Sequence, residues 1–521
     1  MEPFKRVLWL VIDGLGFEEA RRYIQVRPNG PLARLAREGY LGPSTPSSPV
    51  CQTPSALVAL FSGAQPAQSG VWGYRMPDPR RPRASMLGFY APVEGLSTVW
   101  GELEERGQGY SVMNAAFRND PVWSRGKSAR FAYDGYRLWK KPTAIRTSSG
   151  RQRMDLLGVE MRLDLDATGV GITKGGRLRC QVPLDGTARL QVTPGKEARV
   201  FSLGGAGLLI CPLTLPGVRG SSPPDGARDG FCDGDAFRFV RSWMDGHGVS
   251  TSSRSGGMDV SVAAEMGPTN ASFSQKAELM LAAARDPQAR LVIGYLPNVD
   301  ELNHSYADLI EAEWPEGRGS VLLLRTLGLV DTLLDRLMSG AEPGTLLVLS
   351  SDHGTVPHRH ELYLNELLAR AGLVHRCKDG YDPARSVAYY HPADCGQIVA
   401  GGRRAADPLP AIRRALDLAS RELHAPIGLQ EAGPGDPYLA FAYPLADVEI
   451  TGRAPKPGMP ILRRKPGGNH LSPLTPTPWI QAVLGAWSPG RNLGAGECPT
   501  ENVGLKSFVL RALDIASSGR S

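Results

Sequence analysis

The stretch PVCQTPSALVALFSG, residues 49–63, places a hydroxyl group at the start of a helix. Thr53 has the side chain of an N-cap, Pro54 suits the first helical position, and the apolar run that follows ends at Gly63. Unpaired backbone N–H groups at a helix start bind anions such as phosphate. The stretch therefore predicts an oxygen nucleophile beside an anionic substrate, although a plain helix cap would also account for these residues.

The composition is typical of a large soluble enzyme. The chain has 521 residues, of which 42% are hydrophobic and 21% charged, so it can form two or three domains or one large domain with insertions. The net charge of +7 is dispersed, and no aromatic residues alternate with the basic ones as they do in a nucleic-acid groove. We therefore expect a small-molecule partner and no specific nucleic acid.

The cysteines and apolar runs bear on the cellular compartment. The seven cysteines are scattered and form no Cys-x-x-Cys pair, which argues against a zinc–thiolate site or a disulfide framework. No segment approaches the roughly 18 apolar residues of a membrane span, and the first apolar run, residues 7–12, is too short for a signal peptide and indicates a strand. We expect no membrane partner and a cytoplasmic location.

Acidic and histidine side chains directly follow three predicted strands. These strands are continuous apolar runs, which indicates parallel strands covered on both faces, and ligands of open α/β sheets gather at the carboxyl ends of such strands. The groups are Asp13 after residues 7–12, Asp300 and His304 after residues 291–296, and Asp352 and His353 after residues 345–350.

Each of these groups also has an ordinary interpretation. Asp13 followed by glycine is typical of a turn, and Asp300 and His304 face the same way on a helix either as two metal ligands or as a surface pair. His470 lies in a Gly-rich stretch, residues 466–470, that we expect to be a loop. Carboxylates and neutral imidazoles suit Zn²⁺ and similar ions, so together these groups predict a metal site.

The chain divides into a predicted core and a predicted insertion. Strands and helices alternate in residues 1–118 and 271–521, whereas residues 119–270 are richer in Gly, Pro, Ser and Arg and contain short alternating segments typical of antiparallel strands. We predict an α/β fold with a mostly parallel central sheet sandwiched by helices and an inserted β-rich cap for substrate specificity. Helices are expected at residues 32–39, 53–63, 96–106, 275–284, 320–338, 361–371 and 409–423.

In a two-metal phosphoryl-transfer site one metal activates the nucleophile while the other neutralises the charge of the phosphoryl oxygens. The side chains that such a site requires are all present, namely Asp13, Thr53, Asp300, His304, Asp352, His353 and His470. Their order and spacing resemble the alkaline phosphatase superfamily and, within it, the type I phosphodiesterase/nucleotide pyrophosphatase group. The resemblance covers about the first 120 residues and most of the chain from residue 275, and it implies that Thr53 is the nucleophile. It further implies that Asp300, His304 and His470 hold one zinc ion and that Asp13, Thr53, Asp352 and His353 hold the other.

The chain departs from the family pattern at two places. The family usually has Thr-x-Pro, whereas Pro54 directly follows Thr53, which leaves Cys51 as an alternative nucleophile; the spacing to Gly63 favours Thr53. Nucleotide pyrophosphatases usually have a His-Gly-x-x-Gly-Asn segment whose Asn donates to a phosphoryl oxygen. Here the segment ends in Tyr74, whose hydroxyl we expect to bind the substrate instead.

The resemblance implies a hydrolase of phosphoric esters that uses two divalent metal ions, expected to be Zn²⁺, and a phosphothreonine intermediate. Its substrate would be a small-molecule phosphate ester or nucleotide, with phosphodiesterase or nucleotide pyrophosphatase activity. The alternative is a phosphomonoesterase or phosphotransferase with the same metal site. A sulfatase is disfavoured because the Cys-x-Pro-x-Arg motif is absent, and an inactive protein is disfavoured because every proposed ligand is present.

Overall fold

A computed structural model of the chain contains a central eight-stranded sheet. Five adjacent strands in its middle are parallel, and the strand Ala482–Trp487 runs antiparallel to both of its neighbours. The strands lie in the order Val218–Gly220, Ala129–Tyr133, Tyr110–Met113, Leu291–Leu296, Arg6–Ile12, Thr345–Ser350, Ala482–Trp487 and Tyr40–Ser44. The structure describes residues 2–78, 81–91, 93, 95–113, 127–133, 143–146, 150–156, 159–166, 169–183, 187–193, 196–202, 207–213, 218–220, 262–378, 380–403 and 407–516.

Helices cover both faces of this sheet. Alternate residues of Arg6–Ile12 belong to two different hydrophobic cores, because successive side chains of a strand point to opposite faces. Trp9 packs in the core that contains the helix Thr53–Ser62, and Leu10 packs in the core that contains the helix Arg318–Ser339. The predicted α/β sandwich with a mostly parallel sheet is therefore confirmed. In the described part of the chain the α-helices are Phe17–Val26, Pro31–Glu38, Thr53–Ser62, Pro66–Ser69, Val99–Glu105, Val262–Ala284, Asn298–Ala312, Arg318–Ser339, Leu364–Arg370, Leu409–Leu423 and Leu505–Ala512.

Two antiparallel sheets lie within the range predicted as an insertion. They enclose a small hydrophobic core of their own, whereas two other strands of that range, Ala129–Tyr133 and Val218–Gly220, pair in the central sheet. We propose that the cap consists of the residues between those two strands. The predicted boundary at residue 118 lies outside the described residues, and the boundary at residue 271 falls inside the helix Val262–Ala284. One sheet has the order Arg177–Pro183, Gly169–Lys174, Val159–Asp166, Gly150–Leu156, and the other Thr187–Thr193, Lys196–Ser202, Gly207–Leu213, Thr143–Arg146.

Two further sheets, one antiparallel and one mixed, lie between His353 and His470. A four-stranded sheet and a three-stranded sheet occupy this part of the chain, and the second of them leads directly into His470. The four strands are, in order, Ala388–Tyr390, Gln397–Ala400, Ala440–Pro444 and Ile427–Glu431, and the three are Val448–Thr451, Val356–Tyr363 and Leu462–Asn469. In the same part of the chain His375–Cys377 pairs with Gly380–Asp382, and earlier in the chain Arg75–Asp78 pairs with Arg81–Leu87.

Tertiary contacts change three of the predicted elements. The helix expected at residues 361–371 begins only at Leu364, because residues up to 363 are paired on both sides as a strand. The expected loop at residues 466–470 is instead the end of the strand Leu462–Asn469. The helix expected to begin at residue 275 begins at Val262, where Met266 packs in the hydrophobic core.

The ends of the other predicted helices and strands agree with the structure to within a few residues. Among the helices that the structure describes, none is both long and apolar enough to cross a membrane.

Candidate metal centre

The central strands bring the predicted ligands to one edge of the sheet. Arg6–Ile12 pairs with Leu291–Leu296 on one side and with Thr345–Ser350 on the other, and all three strands run in the same direction. The residues that follow these strands therefore meet: the Asp13 backbone N–H donates to the Leu296 carbonyl at 2.9 Å, and the Asp300 N–H donates to the Asp13 carbonyl at 3.0 Å. Close backbone approach thus fixes the site.

One ligand group consists of Asp300, His304 and His470, as the resemblance implied. Asp300 lies in the first turn of the helix Asn298–Ala312, and His304 follows one turn later on the same face. Its Nε2 atom lies 3.3 Å from Asp300 Oδ2, and His470 Nε2 lies 3.4 Å from Asp300 Oδ1. The two imidazole Nε2 atoms are 3.2 Å apart. Three ligand atoms thus lie within reach of one ion.

A second group contains Asp13, Asp300 and His353. His353 Nε2 lies 3.3 Å from Asp13 Oδ1 and equally 3.3 Å from Asp352 Oδ2. The His353 ring also stacks on the His470 ring, with centroids 3.6 Å apart and planes inclined by 6°. Asp300 therefore belongs to both groups, whereas the resemblance assigned it to one ion only.

The chemistry of these groups fits divalent cations. Asp13 Oδ1, Asp300 Oδ1 and Asp352 Oδ2 are buried and accept no hydrogen bond from the described residues, and burying a charge without a partner is costly. Burial raises the pKa of Asp13 well above its usual range, and the Asp352 and Asp300 carboxylates raise it further. Burial also lowers the pKa of His470 well below its usual range, so this imidazole is neutral and available as a ligand.

Backbone groups hold the outward-facing atoms of several ligands. Two backbone N–H groups, including that of His353, donate to Asp352 Oδ1 at 3.1 Å and leave Oδ2 for the site. The Nδ1 atom of His353 lies 3.2 Å from the Gly354 carbonyl oxygen, and that of His304 lies 3.0 Å from the Gly468 carbonyl oxygen. Such contacts select the tautomer whose Nε2 is free to bind a metal.

Thr53 lies beside the second group, but it is not the helix cap that the sequence predicted. The N-cap is Gln52, and Thr53 is the first helical residue. Its hydroxyl is buried and lies 3.4 Å from His353 Nε2. The side chain therefore faces the ligands at the positive end of the helix.

Cys51 supports the site from the other side. Its Sγ donates to the His470 carbonyl at 3.3 Å, and its backbone N–H donates to the Leu471 carbonyl at 3.0 Å. Burial raises the pKa of the Cys51 thiol well above its usual value, which keeps it in the unreactive protonated form. This arrangement favours Thr53 over Cys51 as the nucleophile.

Tyr74 lies near the start of the same helix. Its backbone N–H donates to Gln52 Oε1 at 2.8 Å, and its exposed ring meets Phe89 edge to face at a centroid distance of 5.6 Å. The structure thus places the Tyr74 backbone against Gln52, the residue before Thr53. A contact between its hydroxyl and the substrate stays a prediction.

Sequence reasoning missed several residues that support the site. Asn303 Nδ2 donates to the Gly14 carbonyl and to Glu19 Oε2, both at 3.1 Å, and so ties the helix of Asp300 to the loop after Asp13. Its spacing of three residues from Asp300 places it on the same helical face, which was a readable signal. Asn502 Nδ2 donates to the Asp352 carbonyl at 2.8 Å, and no local sequence pattern predicts this contact.

Gln52 also connects the site to the four-stranded sheet through Asp394. Gln52 Nε2 donates to the Asp394 carbonyl at 3.1 Å. The Asp394 carboxylate accepts from the Gly452 N–H at 2.6 Å and from the Thr451 hydroxyl at 3.3 Å. Burial nevertheless raises the pKa of Asp394 from 3.8 to about 6.

Asp394→Asn is expected to change the pH dependence of stability. A raised pKa means that the folded protein binds this proton more tightly than the unfolded chain, so the stabilisation is complete below about pH 4 and is lost as the pH rises through about 6. The neutral amide does not titrate, so the variant should gain roughly 2 to 3 kcal/mol relative to the parent between pH 4 and pH 7. Denaturation midpoints of both proteins across this range measure the difference, and parallel profiles would contradict the assignment.

Comparison with known proteins supports the family expected from the motif order. The sequence model of the family "type I phosphodiesterase / nucleotide pyrophosphatase" matches residues 7–424, about four fifths of the chain. Comparison with curated protein sequences finds no match.

Several solved structures are similar to this one over nearly the whole chain. Murine ectonucleotide pyrophosphatase/phosphodiesterase 5 has 12% sequence identity and a TM-score of 0.48, with coverage of 98% of this chain and 95% of that chain. An inactive variant of the murine protein, in complex with AMP, has the same identity of 12% and TM-score of 0.48, with coverage of 98% and 96%. Phosphonoacetate hydrolase from Sinorhizobium meliloti 1021, in complex with phosphonoformate, has 13% identity and a TM-score of 0.48, with coverage of 98% and 96%.

The extent of the family match and the residues gathered at the sheet edge lead to one assignment. This chain belongs to the type I phosphodiesterase/nucleotide pyrophosphatase family, a group of metal-dependent phosphoester hydrolases in the alkaline phosphatase superfamily.

Proposed function

We propose that this protein hydrolyses phosphoric esters through a phosphothreonine intermediate on Thr53, with two divalent ions, expected to be Zn²⁺, as cofactors. The observation that carries the proposal is the position of the Thr53 hydroxyl. It lies 3.4 Å from His353 Nε2, at a helix start, beside two ligand groups that share Asp300. The proposed substrate is a small phosphodiester or nucleotide pyrophosphate, in keeping with the family.

The ligand groups support two ions rather than one. When bound, the two ions supply a lowered pKa for the attacking hydroxyl and positive charge for the phosphoryl oxygens. Three ligand oxygens, Asp13 Oδ1, Asp300 Oδ1 and Asp352 Oδ2, accept no hydrogen bond from the described residues, and this supports such binding. Asp300, His304 and His470 would hold one ion. Asp13, Asp300 and His353 would hold the other, together with Asp352 and Thr53.

The residues of the chain define the two chemical steps. Thr53 Oγ1 gives up its proton to solvent water and forms a bond to phosphorus, while the bond from phosphorus to the leaving oxygen breaks and the electron pair departs with that oxygen. Unpaired N–H groups at the start of the helix stabilise the negative phosphoryl oxygens, and the Tyr74 hydroxyl is proposed to donate to one of them. Water then attacks phosphorus, which releases the phosphoryl product and restores the Thr53 hydroxyl.

The purified protein should contain two divalent ions per chain and lose activity when a chelator removes them. Elemental analysis measures the ions, and added Zn²⁺ is expected to restore turnover because the ligands are preformed. A protein without metal whose activity is unaffected by chelators would contradict the proposal.

A substrate panel then separates the possible activities. Bis-p-nitrophenyl phosphate and nucleotide pyrophosphates are expected to turn over faster than p-nitrophenyl phosphate. Faster hydrolysis of the monoester would instead indicate a phosphomonoesterase. Transfer to an alcohol acceptor without release of free phosphate would indicate a phosphotransferase.

A further inference from the structure

The ligands at the sheet edge differ in what holds them in place. Asp352, His353 and His304 are each held through one atom by backbone groups. Asp13 is held by a side chain instead, the hydroxyl of Tyr295, which donates to Asp13 Oδ2. A side-chain donor can be removed by mutation without disturbing the main chain, so its role is open to direct measurement.

Tyr295 is built into the sheet next to Asp13. It is fully buried in the strand Leu291–Leu296 and pairs with Val11, two residues before Asp13, on the adjacent parallel strand. While Asp13 Oδ2 accepts the tyrosine hydroxyl, Asp13 Oδ1 lies 3.3 Å from His353 Nε2 and accepts no hydrogen bond from the described residues. The two oxygens of one carboxylate thus have different surroundings.

We infer that Tyr295 is a positioning residue, which turns Asp13 so that Oδ1 alone faces the ion. The terminal torsion of an aspartate is broad, so an unrestrained carboxylate can rotate or bind an ion through both oxygens. A hydroxyl donor on Oδ2 removes both alternatives. The loss of such outer partners typically weakens metal binding 10- to 100-fold.

The direct test is Tyr295→Phe, which retains the buried ring and removes only the hydroxyl. Chelator competition without substrate measures the affinity for each ion, and circular dichroism confirms that the protein is folded. Binding of one ion is expected to weaken roughly 10- to 100-fold while the other ion is retained. Activity lost at limiting Zn²⁺ should return when Zn²⁺ is in excess, which a purely structural defect would not allow.

Tyr23 provides a matched control in the same protein. Its hydroxyl donates to Asp331 Oδ2 at 2.8 Å, and Tyr23 is also buried, but neither residue is a proposed ligand. Tyr23→Phe therefore measures the cost of losing a buried tyrosine–carboxylate bond and should leave both metal affinities unchanged. Equal loss of affinity in the Tyr23 and Tyr295 variants would show that stability, not orientation, governs binding.

When Asp13 is replaced by Asn, removal of the Tyr295 hydroxyl is no longer expected to weaken metal binding. In Asp13→Asn the Tyr295 hydroxyl should hold the amide oxygen and turn the NH₂ group, which cannot bind a metal, toward the site. Adding Tyr295→Phe frees the amide to turn over, so the double variant should bind the ion at least as tightly as Asp13→Asn alone.

Besides equal loss in the Tyr23 variant, three results would overturn the inference. These are parental affinity for both ions in folded Tyr295→Phe, equal weakening of both ions in that variant, or a further loss of affinity in the double variant. The inference rests on the proposed metal site and not on the reaction, because these affinities are measured without substrate. A failed activity assay would therefore contradict the proposed function and leave the role of Tyr295 to be decided separately.

Discussion

Thr53→Ala is expected to remove nearly all turnover while metal content and folding persist. The hydroxyl lies 3.4 Å from His353 Nε2, where it can attack a bound phosphoryl group. Thr53 is the first helical residue and not the N-cap, so alanine removes no capping hydrogen bond. Deletion of a covalent nucleophile in other hydrolases lowers the turnover number by roughly 10⁶-fold, and a loss of that order is expected here.

Steady-state kinetics on the best substrate of the panel measures the loss, and elemental analysis confirms the metal content. Two further variants serve as controls. Thr53→Ser retains a hydroxyl and should retain part of the activity, and Cys51→Ala should keep most of it because the thiol is buried and protonated. If Cys51 proved essential and Thr53 dispensable, the assignment of the nucleophile would be wrong.

Asp300→Ala is expected to abolish binding of both metal ions. Replacement of any other single ligand is expected to have a smaller effect. Asp300 belongs to both ligand groups, and its two oxygens lie within 3.3 and 3.4 Å of the Nε2 atoms of His304 and His470. Its removal also leaves the remaining acidic and imidazole groups without their common partner. Elemental analysis should find less than one ion per chain, and activity should fall with the metal.

His470→Ala provides the contrast, because His470 contributes to one ligand group only. This variant should lose one ion and retain the other. Glu311→Ala is a suitable control, since Glu311 lies on the same helix as Asp300 and pairs instead with Arg359 at 3.1 Å. Full retention of one ion in Asp300→Ala, or loss of both ions in His470→Ala, would contradict a shared Asp300.

The sequence determined the parts of the fold that depend on short-range patterns. The strands Leu291–Leu296 and Thr345–Ser350 have the predicted bounds, because a continuous apolar run is the direct consequence of burial on both faces. The common face of Asp300 and His304 follows from helical geometry alone. The order of the motifs along the chain was sufficient to predict the family, which the family match confirms.

Tertiary structure decided the features that depend on contacts between residues distant in sequence. Gln52 displaces Thr53 as the N-cap while its side chain bonds to Asp394, which lies 342 residues away. The stretch before His470 became a strand because it pairs with Val356–Tyr363. Local propensity carries no information about either partner.

The sharing of Asp300 and the role of Tyr295 likewise exist only in three dimensions. A sequence motif assigns each ligand to one ion, whereas distances between side chains show that Asp300 reaches both groups. The sequence shows Tyr295 merely as one aromatic residue in an apolar strand, and only the register between parallel strands sets its hydroxyl against Asp13. The sequence thus determined which chemical groups are present, and the packing of the sheet determined which of their atoms face one another.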